Sequence, residues 1–319
     1  MTGELVKQDS GRGVPQVQRA NQYIADSVAA NTRRVYAWAW GEFADWCKAN
    51  GAVSLPAAPA AVAVYFAHMA DQGRKPSTID IARAAVKMAH ETAGHADPTS
   101  NKHVKLTIRG IKRTVGTAPV QKAAILTADI RAMVRALPDS LLGVRDRALL
   151  LIGFAGAFRR SEVAALAVEH IEHTAEGVKV YLPKSKTDQE GQGRWVGIKR
   201  TTNPDTCPVR ALNAWLAAAG IESGPVFRNV TRHGRIGQTA ITAQVVALVV
   251  KRTAAAAGLD PAKYSGHSLR AGFVTQTAMN GATESNIMRQ TGHTSNATVR
   301  GYIRMANLFV NNPSGMLGL

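Results

Sequence analysis

The sequence predicts a mainly α-helical protein of two domains: an all-α N-terminal domain, then an α+β domain with a small antiparallel sheet. Apolar side chains recur at three- and four-residue intervals over most of the chain, as on the buried face of a helix. A basic stretch containing Gly116 and Pro119 interrupts this pattern. Two β-rich runs follow later, and because helices do not alternate with them, a parallel βαβ array is excluded.

These breaks set the predicted domain boundaries. Residues 1–16 are polar and are expected to form a disordered tail. Residues 17–117 form the helical domain, and residues 118–125 form a linker. Residues 126–319 form the second domain, which ends in an apolar segment that must pack on some surface, either as a docking segment or on its own domain.

The first predicted helix runs from Arg33 to Cys47, with Asn31 or Thr32 as its N-cap and Gly51 after its end. Its apolar face carries Tyr36, Trp40, Phe43 and Cys47, and Trp38 lies off that face. The other predicted helices of this domain cover Val64 to Met69 after Pro56 and Pro59, the residues from an N-cap at Ser77 to His90, and the basic segment Lys102 to Lys112.

In the second domain, Thr127 is predicted to cap the first helix. Val178 to Leu182 and Trp195 to Ile198 have the β-branched and aromatic composition of strands. The polar residues 183–194 between them predict a mobile hairpin loop. Further helices are predicted over residues 209–219, 239–257, 267–280, 285–290 and 297–303.

The net charge of the chain limits the classes of partner that it is expected to bind. The 319 residues include 39 Lys and Arg against 22 Asp and Glu, a formal net charge of +17. Such a surface favours polyanions, above all nucleic acid, and an acidic protein partner is the alternative.

The sequence carries few features that indicate a cellular compartment. Cys47 and Cys207 do not make a disulfide framework, which fits a reducing cytoplasm. No apolar run of membrane-spanning length occurs, so we expect no membrane association, and the N-terminus lacks a hydrophobic signal core.

Two motifs that suggest metal or nucleotide are set aside. His90 and His95 lie five residues apart and diverge by roughly 140° on a helix, unlike a zinc-binding pair. No phosphate-binding loop ending in Gly-Lys-Ser/Thr occurs. We therefore expect neither a metal nor a cofactor.

Basic and histidine side chains in the second domain form the candidate site. His267 and Arg270 are three apart on a predicted helix, so both can meet one phosphate. Arg159 follows a strongly apolar helix, and Glu162 is placed to orient it. Arg160 is the competing arginine. Each motif alone is also compatible with an ordinary cap or surface position.

The remaining candidates are a lysine, a histidine and a tyrosine. Lys186 lies in the hairpin loop and could act as a general acid, with Lys184 as its rival. His293 lies in a turn before a helix, and Tyr302 follows it by nine residues. Tyr302 is the candidate nucleophile.

The order Arg159, Lys186, His267-x-x-Arg270, His293, Tyr302 resembles the tyrosine recombinase (phage integrase) family over about residues 125–310. Short segments around Trp46, Gly266 and Tyr302 are similar to the Cre-type simple site-specific recombinases, although these carry tryptophan where this chain has His293. In the wider family, histidine is the commoner residue there, so the departure leaves catalysis intact.

The resemblance implies a bacterial or phage-encoded cytoplasmic enzyme that cuts and rejoins DNA through a covalent 3′-phosphotyrosyl intermediate. It implies a core-binding N-terminal domain, double-stranded DNA sites as partners, and a homotetramer on two sites assembled through the C-terminal segment. The candidate DNA contacts of the first domain are Arg33, Arg34, Lys75, Arg83 and Lys87.

Three alternatives remain at this stage: a type IB topoisomerase-like enzyme, a DNA-binding protein of the same fold that does not cut, and a basic helical protein that binds RNA or an acidic partner. The target DNA sequence, the biological role and the accessory factors are not set by these motifs.

Overall fold

A computed structural model of the chain describes residues 19, 23, 28–117, 122–183, 185, 191–306 and 312–317. The chain divides into two compact units, residues 1–120 and 121–319. The predicted tail and residues 118–121 of the predicted linker lie outside the described residues.

The first unit is helical throughout its described part. Its helices are α1 (Ala30–Ala49), α2 (Pro59–Asp71), α3 (Pro76–Thr92) and α4 (Lys102–Val115). Their apolar faces meet in one core around Phe43, Val62, Phe66, Ile79, Val86 and Val104. The predicted apolar face of α1 is confirmed at Phe43 and Cys47, and Trp38 is exposed.

Two predicted helix starts of this unit were wrong, and in the second unit the predicted cap Thr127 is instead the first helical residue, after Leu126. Helix α1 begins at Ala30, before the expected caps, and Asn31 instead accepts a hydrogen bond from the Arg34 guanidinium. Helix α3 begins at Pro76, so Ser77 lies inside it. Proline is preferred at the first helical position because its fixed φ suits a helix and its missing N–H is not needed there.

His90 ties α3 to the segment that precedes α2. It is fully buried, its Nε2 accepts the Ala57 backbone N–H at 2.8 Å, and its Nδ1 lies 2.8 Å from the Val86 carbonyl. Since Nε2 is the acceptor, Nδ1 carries the proton and donates to Val86. Both ring nitrogens are therefore used in packing.

The second unit is mainly helical around a three-stranded sheet. Its helices are α5 (Thr127–Arg135), α6 (Leu141–Ala155), α7 (Arg160–Ala164), α8 (Pro208–Ala219), α9 (Ala243–Ala256), α10 (Ser268–Met279), α11 (Glu284–Thr291) and α12 (Asn296–Ala306). Within the described part of the chain, no helix has the length and apolar character needed to cross a bilayer.

The sheet confirms the two predicted strands and adds a third. Strands β1 (Ile171–His173), β2 (Gly177–Leu182) and β3 (Arg194–Lys199) are antiparallel in the order β1-β2-β3. Val180 pairs with Val196, and both are buried, whereas Trp195 is exposed. Alternate residues of β2 and β3 thus face the core.

A second hairpin corrects the predicted helix over residues 239–257. Strands β4 (Arg228–Val230) and β5 (Ile236–Ala240) pair antiparallel, and α9 starts only at Ala243. Thr242 caps α9, since its hydroxyl accepts the Val245 N–H. Helical periodicity did not reveal this hairpin because its strands are short and mostly exposed.

Helix α6 forms the centre of the second core. Leu149 to Ile152 are all buried, so this turn of the helix is apolar on every side, as expected of a helix surrounded by other elements. Helix α10 lies close to the strand-like segment before α5: the Ile125 N–H donates to the Ser268 carbonyl at 3.0 Å. A Cβ at Gly272 would fall on the Ile125 carbonyl oxygen, so only glycine permits this approach.

Candidate active site

Arg159 is held at the start of α7 by Glu162. One Glu162 carboxylate oxygen accepts the Arg159 backbone N–H at 2.8 Å, and the other lies 2.6 Å from Arg159 Nη1. Glu162 is buried and Arg159 is mostly buried, whereas the rival Arg160 is exposed. The carboxylate therefore caps the helix and fixes the guanidinium with the same side chain.

Arg270 reaches the same region from α10. Its Nη1 donates to the Ala157 carbonyl at 2.7 Å, and Ala157 has the unusual positive φ of 52°. Burial, with smaller effects from Arg159 and Arg194, lowers the pKa of Arg270 to about 10, although Glu162 and Tyr302 act in the opposite direction. Among the described residues, no acceptor meets the buried Arg270 Nη2.

His267 lies just before α10 and is exposed. Its backbone N–H donates to the Ser265 hydroxyl at 3.2 Å, which places the side chain at the helix entrance. The predicted pair thus differs in environment: Arg270 is buried and His267 faces solvent.

His293 follows the end of α11. Burial and, to a smaller extent, the positive charges of Arg270, Arg159 and Arg194 together lower its pKa to about 4. Its Nδ1 lies 2.8 Å from the Thr291 hydroxyl, which itself donates to the Ile287 carbonyl at 2.8 Å. The hydroxyl therefore accepts from Nδ1–H, and Nε2 of the neutral ring carries no proton.

Tyr302 lies on α12, half-buried against a small apolar cluster. The cluster consists of Val274, Ala278, Ile287 and Val299. This cluster joins α10, α11 and α12, and the phenol is close enough to Arg270 to raise the pKa of its guanidinium. Packing among three helices therefore holds the candidate nucleophile within electrostatic reach of Arg270.

The two candidate lysines cannot be placed. Lys184 and Lys186 lie outside the described residues, between the end of β2 and the start of β3. The choice between them stays open.

Sequence reasoning missed Arg194, which it left at the end of a mobile loop. Arg194 is the first residue of β3; its Nη1 donates to the Gln290 carbonyl at 2.8 Å, and its Nη2 lies 3.7 Å from Glu162 Oε2. Its spacing from Val196 and Ile198 offered a signal, because alternate strand residues share a face and these two are buried.

The site thus gathers three guanidiniums, of Arg159, Arg194 and Arg270, around the carboxylate of Glu162. Their formal charges leave an excess of two positive charges. Such a half-buried cluster is suited to bind a phosphodiester and to stabilise the second negative charge that develops during its substitution.

The candidate DNA contacts of the first unit lie on α1, just before α3 and on α3. Arg34 donates to Asn31, Arg83 lies 3.9 Å from Asp80, and Lys87 lies 3.5 Å from Glu91. Arg33 is on α1, and Lys75 precedes α3. Helix α4 adds exposed basic residues that were not nominated: Lys102, Lys105, Arg109 and Arg113.

The model of the phage integrase family matches residues 124–308. An integrase/recombinase XerD homologue of Selenomonas ruminantium is 37% identical over 298 residues, which span 92% of this chain and 87% of that protein. The similarity therefore covers both units.

Solved structures share the fold at low identity. XerH site-specific recombinase, in a post-cleavage complex with its palindromic difH substrate, aligns with a TM-score of 0.67 and 15% identity, over 94% of this chain and 84% of that one. A lambda integrase dimer bound to a COC′ core site aligns with a TM-score of 0.60 and 14% identity, over 90% and 75%.

Proposed function

Because the chain belongs to the phage integrase family, we propose that it is a site-specific DNA recombinase that cuts and rejoins strands through a 3′-phosphotyrosyl intermediate. The observation that carries this proposal is the cluster of Arg159, Arg194 and Arg270 around Glu162, with His293 and Tyr302 within its electrostatic reach. It combines phosphate-binding cations with an oxygen nucleophile.

In the proposed reaction, Tyr302 Oη attacks the scissile phosphorus in line. A phosphorus–oxygen bond to tyrosine forms, the bond to the 5′ oxygen breaks, and the electron pair leaves with that oxygen. The tyrosine proton passes towards His267, and Lys186 protonates the leaving oxygen, with Lys184 as the alternative. A 5′ hydroxyl of another strand then attacks the phosphotyrosine, which rejoins DNA and frees Tyr302.

Arg159 and Arg270 hold the non-bridging oxygens in this scheme. Each is already fixed, Arg159 by Glu162 and Arg270 by the Ala157 carbonyl, so little reorganisation is needed when charge develops. The bond energy is kept in the phosphotyrosine, and no nucleotide is therefore required.

His293 is proposed to donate a hydrogen bond to the phosphate. This role requires a proton on its Nε2. A bound phosphate favours this, because its negative charge opposes the three arginines that keep the pKa of His293 low. The Thr291 hydroxyl can also rotate, so that it donates to His293 Nδ1 instead of to the Ile287 carbonyl. The proton of the neutral ring then lies on Nε2.

The first unit is proposed to help clamp double-stranded DNA, with phosphate contacts from Arg33, Arg34, Lys75, Arg83 and Lys87. The protein is proposed to act in a reducing cytoplasm. Its two cysteines, Cys47 and Cys207, are buried and free, which supports that compartment.

We further propose a homotetramer on two DNA sites, joined through the C-terminal segment. Residues 307–311 of that segment lie outside the described residues, and its sequence is apolar at Leu308, Phe309 and Val310. Truncation after Arg304 should then reduce cooperative assembly on DNA more than monomer stability. An equal loss of both would indicate packing on its own domain.

The decisive experiment uses a nicked suicide substrate. Wild type should form a covalent protein–DNA adduct, and Tyr302→Phe should form none. An adduct with the Phe variant would remove Tyr302 as the nucleophile. Relaxation of supercoils without exchange between two sites would favour the topoisomerase-like alternative, and no adduct with wild type would favour a non-cutting protein.

A further inference from the structure

Arg194 joins the separate parts of the candidate site. It starts β3, its Nη1 donates to the carbonyl of Gln290 on α11, and its Nη2 lies 3.7 Å from Glu162 on α7. The strand, the helix before His293 and the carboxylate that holds Arg159 therefore meet at one guanidinium.

The approach to α11 depends on Gly292. A Cβ at this position would lie 2.7 Å from Arg194 Nε, so the guanidinium occupies the space that a side chain would fill. Gln290 makes a second tie, since its side-chain amide donates to the carbonyls of Ala155 and Gly197. The turn that carries His293 is thus anchored from two sides.

Arg194 is kept in place despite an unfavourable setting. Its side chain is 19% exposed, and within the described chain no acceptor reaches its Nε or Nη2 within hydrogen-bond distance. Burial lowers its pKa, and Arg159 lowers it further, while Glu162 opposes this. A buried donor without a full set of partners is costly and is retained where something depends on it.

We infer that Arg194 is a positioning residue of the recombination site, acting through Glu162 on Arg159 and through Gln290 on the His293 turn. This inference rests on the proposed function. Arg194 is assigned no contact with DNA, because its free donors are shielded from solvent. It sets the spacing of the groups that do bind the phosphate.

The test measures the single-turnover rate of adduct formation on the suicide substrate, together with the Kd for intact duplex. Arg194→Gln should slow adduct formation about 10- to 100-fold, since small misplacements of catalytic groups have effects of this size. The Kd should stay unchanged. Arg200→Gln, at the exposed position just after the far end of the same strand, is the matched control and should keep the wild-type rate.

Arg194→Lys separates position from charge. Lysine keeps the positive charge but lacks the fork that reaches a carbonyl and a carboxylate together. Its rate should remain close to that of Arg194→Gln. Full recovery with lysine would mean that only charge matters, and the positioning role would be overturned.

A double-mutant cycle with Glu162→Gln tests the route of the effect. If Arg194 acts through Glu162, the two losses will not add, because each removes the same support of Arg159. Additive losses would overturn this route. A thermal melt shows whether Arg194→Gln is folded. If it is not, Arg194→Lys provides the test instead.

The outcomes also separate this inference from the proposed function. Absence of an adduct with wild type would refute the recombinase function itself. A normal adduct rate in folded Arg194→Gln would leave the function standing and refute the role of Arg194.

Discussion

Glu162 shows how one side chain can govern a site. Its buried carboxylate contacts Arg159 at 2.6 Å and Arg194 at 3.7 Å, and it also raises the pKa of Arg270. Its removal would leave three like charges close together in a partly desolvated place. Charge balance and helix capping are therefore lost together.

We expect Glu162→Gln to lower the free energy of unfolding by about 3 kcal/mol, as when one partner of a buried ion pair is removed. The matched control is Glu284→Gln, which breaks the pair with Arg300 at 3.0 Å on an exposed surface. That change should cost less than about 1 kcal/mol. Equal losses in urea unfolding would contradict the structural role of Glu162.

His293 should make stability depend on pH. Its pKa is about 4 in the folded chain against an ordinary 6.5, so between these values the unfolded chain binds more protons. The free energy of unfolding must therefore fall as pH drops from about 6.5 to about 4.

His293→Gln should remove this part of the pH dependence, measured as the difference in unfolding free energy between pH 7 and pH 4.5. His103→Gln, at an exposed position on α4, is the control and should retain the wild-type slope. A slope unchanged in His293→Gln would show that the ring does not stay neutral in the folded protein.

At the scale of elements, the ends of α8 and α11 offer a matched pair of glycines. Gly220 and Gly292 both cap their helices in the left-handed region, with φ of 59° and 65°. A Cβ would meet nothing within 4 Å at Gly220, but it would meet Arg194 at Gly292. Substitution by alanine therefore tests backbone strain alone at Gly220. At Gly292 it tests backbone strain together with displacement of Arg194.

Gly220→Ala should cost about 1–2 kcal/mol, the strain of a left-handed non-glycine residue. Gly292→Ala should cost more, and it alone should slow adduct formation, because Arg194 and the His293 turn must shift. Thermal melts and the suicide-substrate rate measure both effects. Equal behaviour of the two variants would mean that the Arg194 contact has little importance.

At the scale of the whole molecule, the excess of cationic side chains should dominate DNA affinity. The net charge is +17, and Arg83 and Lys87 make only exposed pairs with Asp80 and Glu91. Such surface pairs contribute about 0–1 kcal/mol and exchange readily for phosphate. These two side chains can therefore exchange their carboxylate partners for phosphate without disturbing the core of the first unit.

Lys75→Ala should weaken DNA binding and reduce the slope of log K against log salt by about 1, the effect of losing one phosphate contact. Lys48→Ala, at an exposed position in the last turn of α1, is the control. Titrations of duplex at several salt concentrations give both slopes. The same slope for wild type and Lys75→Ala would exclude this contact.

Local sequence predicted most elements of this protein and the residues of its candidate site. Helix and strand periodicity indicated α1, β2 and β3, because their burial patterns repeat over neighbouring residues. The family motifs named Arg159, Arg270 and Tyr302 in order along the chain. Sequence reasoning did not predict the exact helix starts or the β4–β5 hairpin. At α3, a proline at the first helical position outweighed the local cap signal. In the hairpin, strand pairing outweighed the helical periodicity.

Only the tertiary structure decided how these groups meet. Arg270 donates a hydrogen bond to Ala157, 113 residues away, and Gly272 on the same helix allows the close approach of Ile125. Arg194 becomes part of the site because β3 packs beside the end of α11. The burial that lowers the pKa values of Arg270 and His293 depends on these long-range contacts, and no local pattern encodes it.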